Sequence, residues 1–214
     1  MKKSTNEYIQ ELIKRYPILA GGEADILNAY KILEVCFESG GKLLVAGNGG
    51  SAADSEHIVG ELMKGFVKKR HISEEISSRL EAVDNELGKE LADKLQGALP
   101  AISLTVHNGL NTAFLNDVDG VMCFAQEVYG YGNENDVFLG ISTSGNSKNI
   151  LYAAIAAKAK GMKVIGLTGK DGGRLKELCD SVIIVNEQET YKIQELHLPV
   201  YHTLCLMLEE HFFA

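Results

Sequence analysis

The chain has 214 residues, of which 45% are hydrophobic, and a formal net charge of −8 at pH 7. This length and composition allow one substantial core, and no long flexible linker divides the chain, so we predict a single domain over residues 1–214. The acidic balance, with a pI near 5.3, argues against a general nucleic-acid or membrane-surface binder, because such proteins usually present a basic face to phosphates.

The first 40 residues are predicted to be helical. Apolar side chains recur at intervals of three and four over 4–16 and 24–38, and Gly40-Gly41 ends the second helix. We expect an α-hairpin that serves either as a packing surface between subunits or as a cover for the sheet of a monomer. The first residues do not resemble a signal peptide, and no apolar run reaches membrane-spanning length, so we expect a cytoplasmic protein.

Five short apolar runs predict buried parallel strands, at 42–47, 101–106, 136–142, 163–169 and 180–186. Amphipathic helical stretches separate them, which is the alternation of a doubly wound α/β fold. We therefore predict a three-layer architecture around a five-stranded parallel sheet, with a long helix at the C-terminus.

Two further features are interpreted as structural. Residues 67–98 are strongly charged but keep apolar residues at helical intervals and contain no proline, so we expect a solvated helical excursion. The four cysteines are widely separated, without a CxxC pair, and are expected to be free thiols.

A loop rich in hydroxyl groups follows the third predicted strand, in the sequence ISTSGNSKN. Four side chains there can donate hydrogen bonds: Ser142, Thr143, Ser144 and Ser147. The helix that follows directs its positive N-terminal end at the same point. Because the loop lacks the GK[ST] ending of a nucleotide-binding P-loop, the sequence predicts a site for a phosphorylated small molecule.

A second loop, GNGGSAAD, follows the first predicted strand. Its glycines, Gly47, Gly49 and Gly50, tighten the turn, and Asn48 and Ser51 supply polar contacts. Glycine-rich turns of this kind are common at phosphate and dinucleotide sites, but this one lacks the GxGxxG spacing.

Two pairs of polar residues on predicted helices can converge. His57 and Glu61 are four residues apart on one helix face, and Gln194 and His202 are eight apart near one face of the last helix. The set fits a divalent metal of the zinc, nickel or iron type, and Glu61 with His202 also suits acid/base chemistry. The alternative for either histidine alone is a hydrogen-bonded core residue. That interpretation applies more strongly to four histidines that have no matching residue at helical spacing in the sequence: His71, His107, His197 and His211.

The sequence TAFLNDVDG contains Asn116 and Asp117, which we interpret as a turn and the N-cap of a helix beginning near Val118. Likewise, GKDGGRLKEL at 169–178 predicts a turn into a short helix. Neither motif indicates a substrate ligand by its spacing.

Taken together, these motifs resemble the sugar isomerase (SIS) domain family and, within it, the phosphoheptose isomerases. The matching signatures are GNGGSAAD with HxxxEL, the Asn-Asp pair at 116–117, GISTSGNSKN, GLTGKDGG and IQELHxxxxH. Two positions differ: Lys64-Gly65-Phe66 replaces the family's GRF, and Tyr191 stands where many members have aspartate.

The resemblance implies a cytoplasmic homotetramer with shared active sites that interconverts sedoheptulose 7-phosphate and a manno-heptose 7-phosphate for lipopolysaccharide, capsule or surface-layer glycans. It implies one Zn²⁺ per subunit on His57, Glu61, Gln194 and His202, with Glu61 and His202 as the acid/base pair. The residues implied to contact substrate are Asn48, Gly49, Gly50, Ser51, Glu61, Asn116, Asp117, Ser142, Thr143, Ser144, Ser147 and Gln194.

Two alternative functions remain open at this level. A relative in the same family is a tetrameric protein that binds the bacterial replication initiator, and such a binder need not retain the second histidine. This chain keeps His202, which favours the enzyme. The other alternative is an isomerase or sensor for a different phosphosugar.

Overall fold

A computed structural model describes residues 3–214, which form a five-stranded parallel sheet in the order β2-β1-β3-β4-β5. The strands are β1 Leu43–Ala46, β2 Ala101–Ser103, β3 Val137–Ser142, β4 Lys163–Thr168 and β5 Ser181–Ile184. Each strand lies inside one of the five predicted runs, so the predicted sheet is confirmed. Met1 and Lys2 belong to the predicted N-terminal segment but lie outside the described residues.

Helices connect and flank these strands. They are α1 Thr5–Arg15, α2 Glu23–Glu38, α3 Gly50–Met63, α4 Glu74–Val83, α5 Leu87–Lys94, α6 Asn108–Asp117, α7 Cys123–Tyr131, α8 Lys148–Ala159 and α9 Thr190–Phe213. Short 3-10 turns occur at Pro17–Gly22, Gly120–Met122 and Leu175–Glu177. Within residues 3–214, no helix has the length and apolar character to span a bilayer.

The sheet separates two hydrophobic layers, as the alternation along β1 shows. Leu43 and Val45 belong to a core that also contains residues of α1, α2, α3 and α9. Leu44 and Ala46 belong to a second core with residues of α7 and α8. Because successive strand residues face opposite sides, helices cover both faces and the predicted three-layer doubly wound architecture is confirmed.

The N-terminal helices cover one face of the sheet. Ile9 and Leu12 of α1 and Ile26 and Leu33 of α2 are all buried in the same core as the apolar side of α9. The interpretation of this hairpin as a sheet cover therefore agrees with its packing. A contact with another subunit stays a prediction.

The charged excursion is a pair of helices, α4 and α5, that packs little against the rest of the chain. No residue of α4 is buried, and Val83 and Leu87 are 88% and 60% exposed. An isolated bridge between His71 and Gln96 joins the two ends of the excursion. The predicted solvated helical excursion is confirmed.

All four cysteines are free thiols, as expected: Cys36, Cys123 and Cys205 are buried and Cys179 is half-buried. Burial raises the pKa of Cys36, Cys179 and Cys205 to about 12. These thiols therefore stay protonated and unreactive near neutral pH.

The predicted helix start near Val118 is wrong. Asn116 and Asp117 are the last residues of α6, and Val118 ends that helix. The capping role belongs to Asp119, whose extended backbone precedes the turn Gly120–Met122 and whose Oδ1 accepts a hydrogen bond from the Val121 N–H at 2.9 Å. The sequence contains two aspartates two residues apart, and the prediction placed the cap on the wrong one.

The predicted turn at 169–178 is confirmed, and it supports the serine loop. Leu175, at the start of a 3-10 turn, donates its N–H to the carbonyl of Gly145 at 2.9 Å. Gly145 has a φ of +64°, and a Cβ there would lie 1.9 Å from the carbonyl oxygen of Gly172. Only glycine fits at position 145.

We expect Gly145→Ala to lower the free energy of unfolding by more than about 2 kcal/mol, since it adds left-handed strain to a backbone clash. Gly130→Ala is the matched control, because Gly130 lies in α7 with nothing within 4 Å of its Cβ position. That control should be neutral or stabilising. Urea unfolding measures both, and equal stabilities would contradict the contact between the loops.

Candidate functional site

The site is built on α3 and α9, which lie side by side and run in the same direction. Near their starts, a Cβ on Gly50 would lie 2.7 Å from Gln194 Nε2. Two turns further on, His57 and His202 face each other, with ring centroids 4.9 Å apart and planes at 86°. The two helices therefore bring together residues that are more than 140 positions apart in the chain.

His57 stands at the centre of a cluster of three donor groups. Its Nε2 lies 3.1 Å from Glu61 Oε1 and 3.4 Å from His202 Nε2. The predicted pairing of His57 with Glu61 across one turn is present, and His202 reaches the same point from α9. Glu61 Oε2 is buried and has no hydrogen-bond partner among the described residues, although Lys64 Nζ lies 3.6 Å away.

The other nitrogen of His57 contacts Tyr201, which in turn contacts Asp54, and sequence reasoning missed both residues. Its Nδ1 lies 3.0 Å from the hydroxyl of Tyr201, and that hydroxyl donates to Asp54 Oδ1 at 3.2 Å. Tyr201 is 2% exposed, and Asp54 Oδ2 is buried without a hydrogen-bond partner within residues 3–214. Their sequence positions could have indicated them, because Asp54 precedes His57 by one helical turn and Tyr201 adjoins His202.

His202 lies in a partly apolar environment. Its ring is 5.3 Å from that of Phe66 and 5.0 Å from that of Tyr201. Burial is the main cause that lowers its pKa; the neighbouring His57 and Arg15 act in the same direction, and Glu61 opposes them. The imidazole is therefore neutral at pH 7 and can accept a proton.

A buried ion pair holds the end of α3 in place. Arg70 and Glu209 have fully buried side chains and pair at 2.8 Å. Arg70 also donates to the carbonyls of Glu61 and Leu62, at 2.9 and 2.7 Å, which are end-of-helix acceptors that lack partners within the helix. Glu209 additionally accepts the N–H of Phe66 at 2.8 Å. Sequence reasoning missed this pair, which ties the segment carrying Glu61 to α9.

The serine loop gathers its hydroxyl groups at the N-terminus of α8. Ser142 Oγ and Ser147 Oγ are 3.0 Å apart, and Ser144 Oγ accepts the Asn146 N–H at 3.2 Å. Ser147 is the N-cap residue of α8, but its side chain makes no capping hydrogen bond. The N–H of Ile150 bonds to the Ser147 carbonyl and to Asn149 Oδ1, both at 3.0 Å, so among the first N–H groups of α8 those of Lys148 and Asn149 remain available to an anion.

Two asparagines connect the serine loop to the glycine-rich loop. Asn48 and Asn149 exchange two side-chain hydrogen bonds, at 3.0 and 2.8 Å. Gly49 has a φ of +57°, and Ser51, at the start of α3, is 3% exposed. Asn149, in the first turn of α8, was not predicted as a site residue, although it directly follows the STSGNSK sequence. The two loops therefore form one surface at the carboxyl edge of the sheet.

Asn116 and Asp117 lie at the C-terminal end of α6. They are exposed, and Asn116 Nδ2 donates to Asp117 Oδ1 at 2.7 Å. Among the described residues, no hydrogen bond joins either side chain to the loops. Their implied contact with substrate stays a prediction.

The remaining histidines differ in their surroundings. His197 is fully buried beside the Thr168 carbonyl, and burial lowers its pKa to about 4, which confirms a core histidine. The same interpretation is wrong for His71, which is exposed, while His107 and His211 are half-buried beside carboxylates. His107 Nδ1 lies 3.2 Å from the buried Glu127, and His211 contacts two glutamates of α2, Glu34 and Glu38.

The metal-ligand set is only partly brought together. Eight residues of helix separate Gln194 from His202, about 12 Å at 1.5 Å per residue, so Gln194 lies beside Gly50 and away from the histidine cluster. Among residues 3–214, no three His, Cys, Asp or Glu side chains form a complete metal-binding group.

The donor cluster of His57, Glu61 and His202 lies farther from the carboxyl edge of the sheet than the serine loop does. α3 begins at the carboxyl edge of the sheet and runs back along it, and Glu61 follows Gly50 by eleven residues. At 1.5 Å per residue, Glu61 lies about 16 Å from the start of α3. One chain therefore presents an anion-binding surface and a donor cluster that are well separated.

Comparison with known proteins places this arrangement in a family. The chain is 42% identical to the phosphoheptose isomerase of a Nitratiruptor species over 80% of its length and 78% of the relative's. It is 37% identical to the phosphoheptose isomerase of Campylobacter jejuni over 95% of this chain and 94% of that one. The chain belongs to the phosphoheptose isomerase family.

Solved structures and a family profile agree. A phosphoheptose isomerase structure from Francisella tularensis superimposes with a TM-score of 0.74 at 32% identity, covering 95% of each chain. The corresponding protein from Neisseria gonorrhoeae gives 0.70 at 31% identity, covering 95% of this chain and 93% of that one. The SIS domain profile matches residues 90–169, which include the serine loop. The resemblance noted in the sequence is confirmed.

We expect Glu209→Gln to lower the free energy of unfolding by about 3–5 kcal/mol, because it leaves the Arg70 guanidinium buried without its counter-charge. Glu90→Gln is the matched control. It breaks an exposed ion pair with Lys94 in α5, which is worth about 1 kcal/mol or less. Denaturant unfolding measures both, and similar losses for the two variants would contradict a structural role for the buried pair.

Proposed function

We propose that the chain is an aldose–ketose isomerase that interconverts D-sedoheptulose 7-phosphate and D-glycero-D-manno-heptose 7-phosphate in the cytoplasm. Relatives that share 37–42% of its residues carry the name phosphoheptose isomerase. The observation that carries the proposal is the meeting of Glu61 and His202 around His57. An isomerase of this kind needs a proton acceptor and a proton donor at one end of a phosphorylated sugar.

The phosphate is assigned to the serine loop. The hydroxyls of Ser142, Ser144 and Ser147 and the N–H groups that open α8 offer neutral donors to an anion. Asn48 and the backbone around Gly49 border the same surface, with Gln194 beside Gly50 as a further polar contact for the sugar.

Conversion of the ketose moves two protons. A base removes a proton from C1 while the C2 oxygen gains one, which gives a cis-enediol. A proton then returns to C2 as the O1 proton leaves, and the aldehyde forms at C1. We assign His202 as the base, since its lowered pKa leaves the imidazole neutral, and Glu61 as the group that transfers the oxygen proton.

Two distances around His57 match the separation between neighbouring ligands of a zinc ion. Ligand atoms of a tetrahedral zinc site lie about 3.3 Å apart, given Zn–N distances near 2.0–2.1 Å. His57 Nε2 lies 3.1 Å from Glu61 Oε1 and 3.4 Å from His202 Nε2. His57 and Glu61 would hold the ion, and His202 either completes the set or keeps its lone pair for the base role. Zinc bound there would polarise a sugar oxygen and stabilise the negative charge of an enediolate.

The separation of cluster and loop supports an active site shared between subunits. An extended seven-carbon chain with its phosphate ester spans roughly 10 Å, given carbon–carbon bonds of about 1.5 Å. That is shorter than the distance of about 16 Å from the start of α3 to Glu61 within one chain. The sugar therefore takes its phosphate contacts from one subunit and its acid/base pair from another, in the homotetramer that we propose.

We expect Glu61→Gln and His202→Gln each to lower kcat by about 100-fold to 10,000-fold, which is the usual contribution of one acid/base group. The measurement is NMR detection of the aldose after incubation with sedoheptulose 7-phosphate. His71→Gln is the control, because His71 is exposed and makes only a backbone bridge. Near-normal rates in both site variants would remove the proposed chemistry.

We expect protein purified without a histidine tag to contain about one zinc ion per chain, to lose activity on chelation and to regain it when zinc is added. Elemental analysis of the variants separates the two roles of His202. A His202→Gln protein that keeps its zinc but not its activity indicates a base, and one that loses both indicates a ligand. Full activity of zinc-free wild type would contradict the metal assignment.

A further inference from the structure

Asp54 and Tyr201 form a hydrogen-bonded relay behind His57, on the side of the ring opposite the donor cluster. Tyr201 lies in α9 next to His202, and Asp54 lies one turn before His57 in α3. The tyrosine hydroxyl contacts both Asp54 Oδ1, at 3.2 Å, and His57 Nδ1, at 3.0 Å. The hydroxyl in the middle of the relay belongs to a buried side chain, since Tyr201 is 2% exposed, whereas Asp54 is half-buried and His57 is exposed.

The direction of these hydrogen bonds follows from counting hydrogens. A carboxylate can only accept, so Tyr201 uses its one hydroxyl hydrogen on Asp54. The 3.0 Å contact between Tyr201 and His57 then needs a hydrogen on Nδ1, which donates to the tyrosine oxygen. A neutral His57 held in this way carries its lone pair on Nε2, the atom that faces Glu61 and His202.

We propose that Asp54 and Tyr201 are positioning residues that hold His57 as the Nδ1–H tautomer, with Nε2 directed as a ligand to zinc. This inference rests on the zinc site proposed above. A metal-binding histidine commonly donates its second ring N–H to an oxygen, which fixes the ring and raises the basicity of the ligand atom, and loss of such a partner costs 10-fold to 100-fold in metal affinity. Here the oxygen is a phenol that a carboxylate polarises.

The first test is the zinc dissociation constant, measured by competition with a chelator. We expect Tyr201→Phe to weaken zinc binding by about 10-fold to 100-fold. Tyr30→Phe is the matched control, because Tyr30 in α2 is also a buried tyrosine whose hydroxyl donates to a carboxylate, that of Glu34, which is not part of the donor cluster. The control should bind zinc as the wild type does.

The second test is a double-mutant cycle of Asp54→Asn with Tyr201→Phe. Because the carboxylate acts only through the tyrosine, Asp54→Asn alone should weaken zinc binding, but it should add little further loss when Tyr201→Phe is already present. Independent, additive losses would overturn the relay.

The third readout is spectroscopic. In the zinc-loaded wild type, proton NMR should show a slowly exchanging Nδ1–H of His57, which is lost or exchanges faster in Tyr201→Phe. If both the zinc affinity and this resonance are unchanged in Tyr201→Phe, the relay is overturned while the zinc site remains intact. A wild type that binds no zinc would overturn the metal assignment as well, and isomerase turnover, measured separately, then decides whether the proposed function survives.

Discussion

The parallel contact between α3 and α9 is the constraint on which the candidate site depends. Each helix follows a strand of the sheet, and both run back across the same face, so their matching turns lie side by side. This places His202 against His57 and Glu61, and Gln194 against Gly50. The donor cluster exists only while the two helices keep this register, and the buried pair of Arg70 and Glu209 ties the end of α3 to α9.

Burial gives the groups of this cluster different properties. His202, packed near Phe66, is neutral at pH 7 because burial lowers its pKa. Glu61 keeps one buried oxygen without a hydrogen-bond partner among the described residues. An enediol mechanism needs an imidazole with a free lone pair and a carboxylate oxygen that is free to accept a hydrogen bond. These two groups are also ligands that zinc prefers. The proposed isomerase chemistry and the proposed metal draw on the same three side chains.

The sheet and the long helices could be predicted from the sequence because their signals are local. The five apolar runs and the periodic spacing in 4–16 and 24–38 each report on neighbouring residues. The hydroxyl-rich loop could be predicted in the same way, since its serines adjoin a strand and a helix start.

The prediction failed at Asp117. Either of two aspartates could have supplied the helix cap, and only Asp119 has the extended backbone that a cap requires. What the sequence did not reveal depends on contacts between distant residues. Asp54 ends the GNGGSAAD motif and Tyr201 adjoins His202, but neither position shows that the two side chains meet. The partners of these residues, and those within the pair of Arg70 with Glu209, lie about 140 residues away. The separation between the serine loop and Glu61 could not be predicted either. Helical spacing shows which residues share a helix face, but it does not show how far each residue lies from the carboxyl edge of the sheet.

Subunit complementation tests whether one sugar uses the serine loop of one chain and Glu61 with His202 of another. Two inactive proteins are prepared, Glu61→Gln and a triple alanine variant of Ser142, Ser144 and Ser147, and their subunits are mixed under conditions that allow exchange. If the site is shared in this way, the hybrids recover turnover of sedoheptulose 7-phosphate, because some sites combine an intact loop with an intact Glu61. Hybrids that form but remain as inactive as both parents would contradict it.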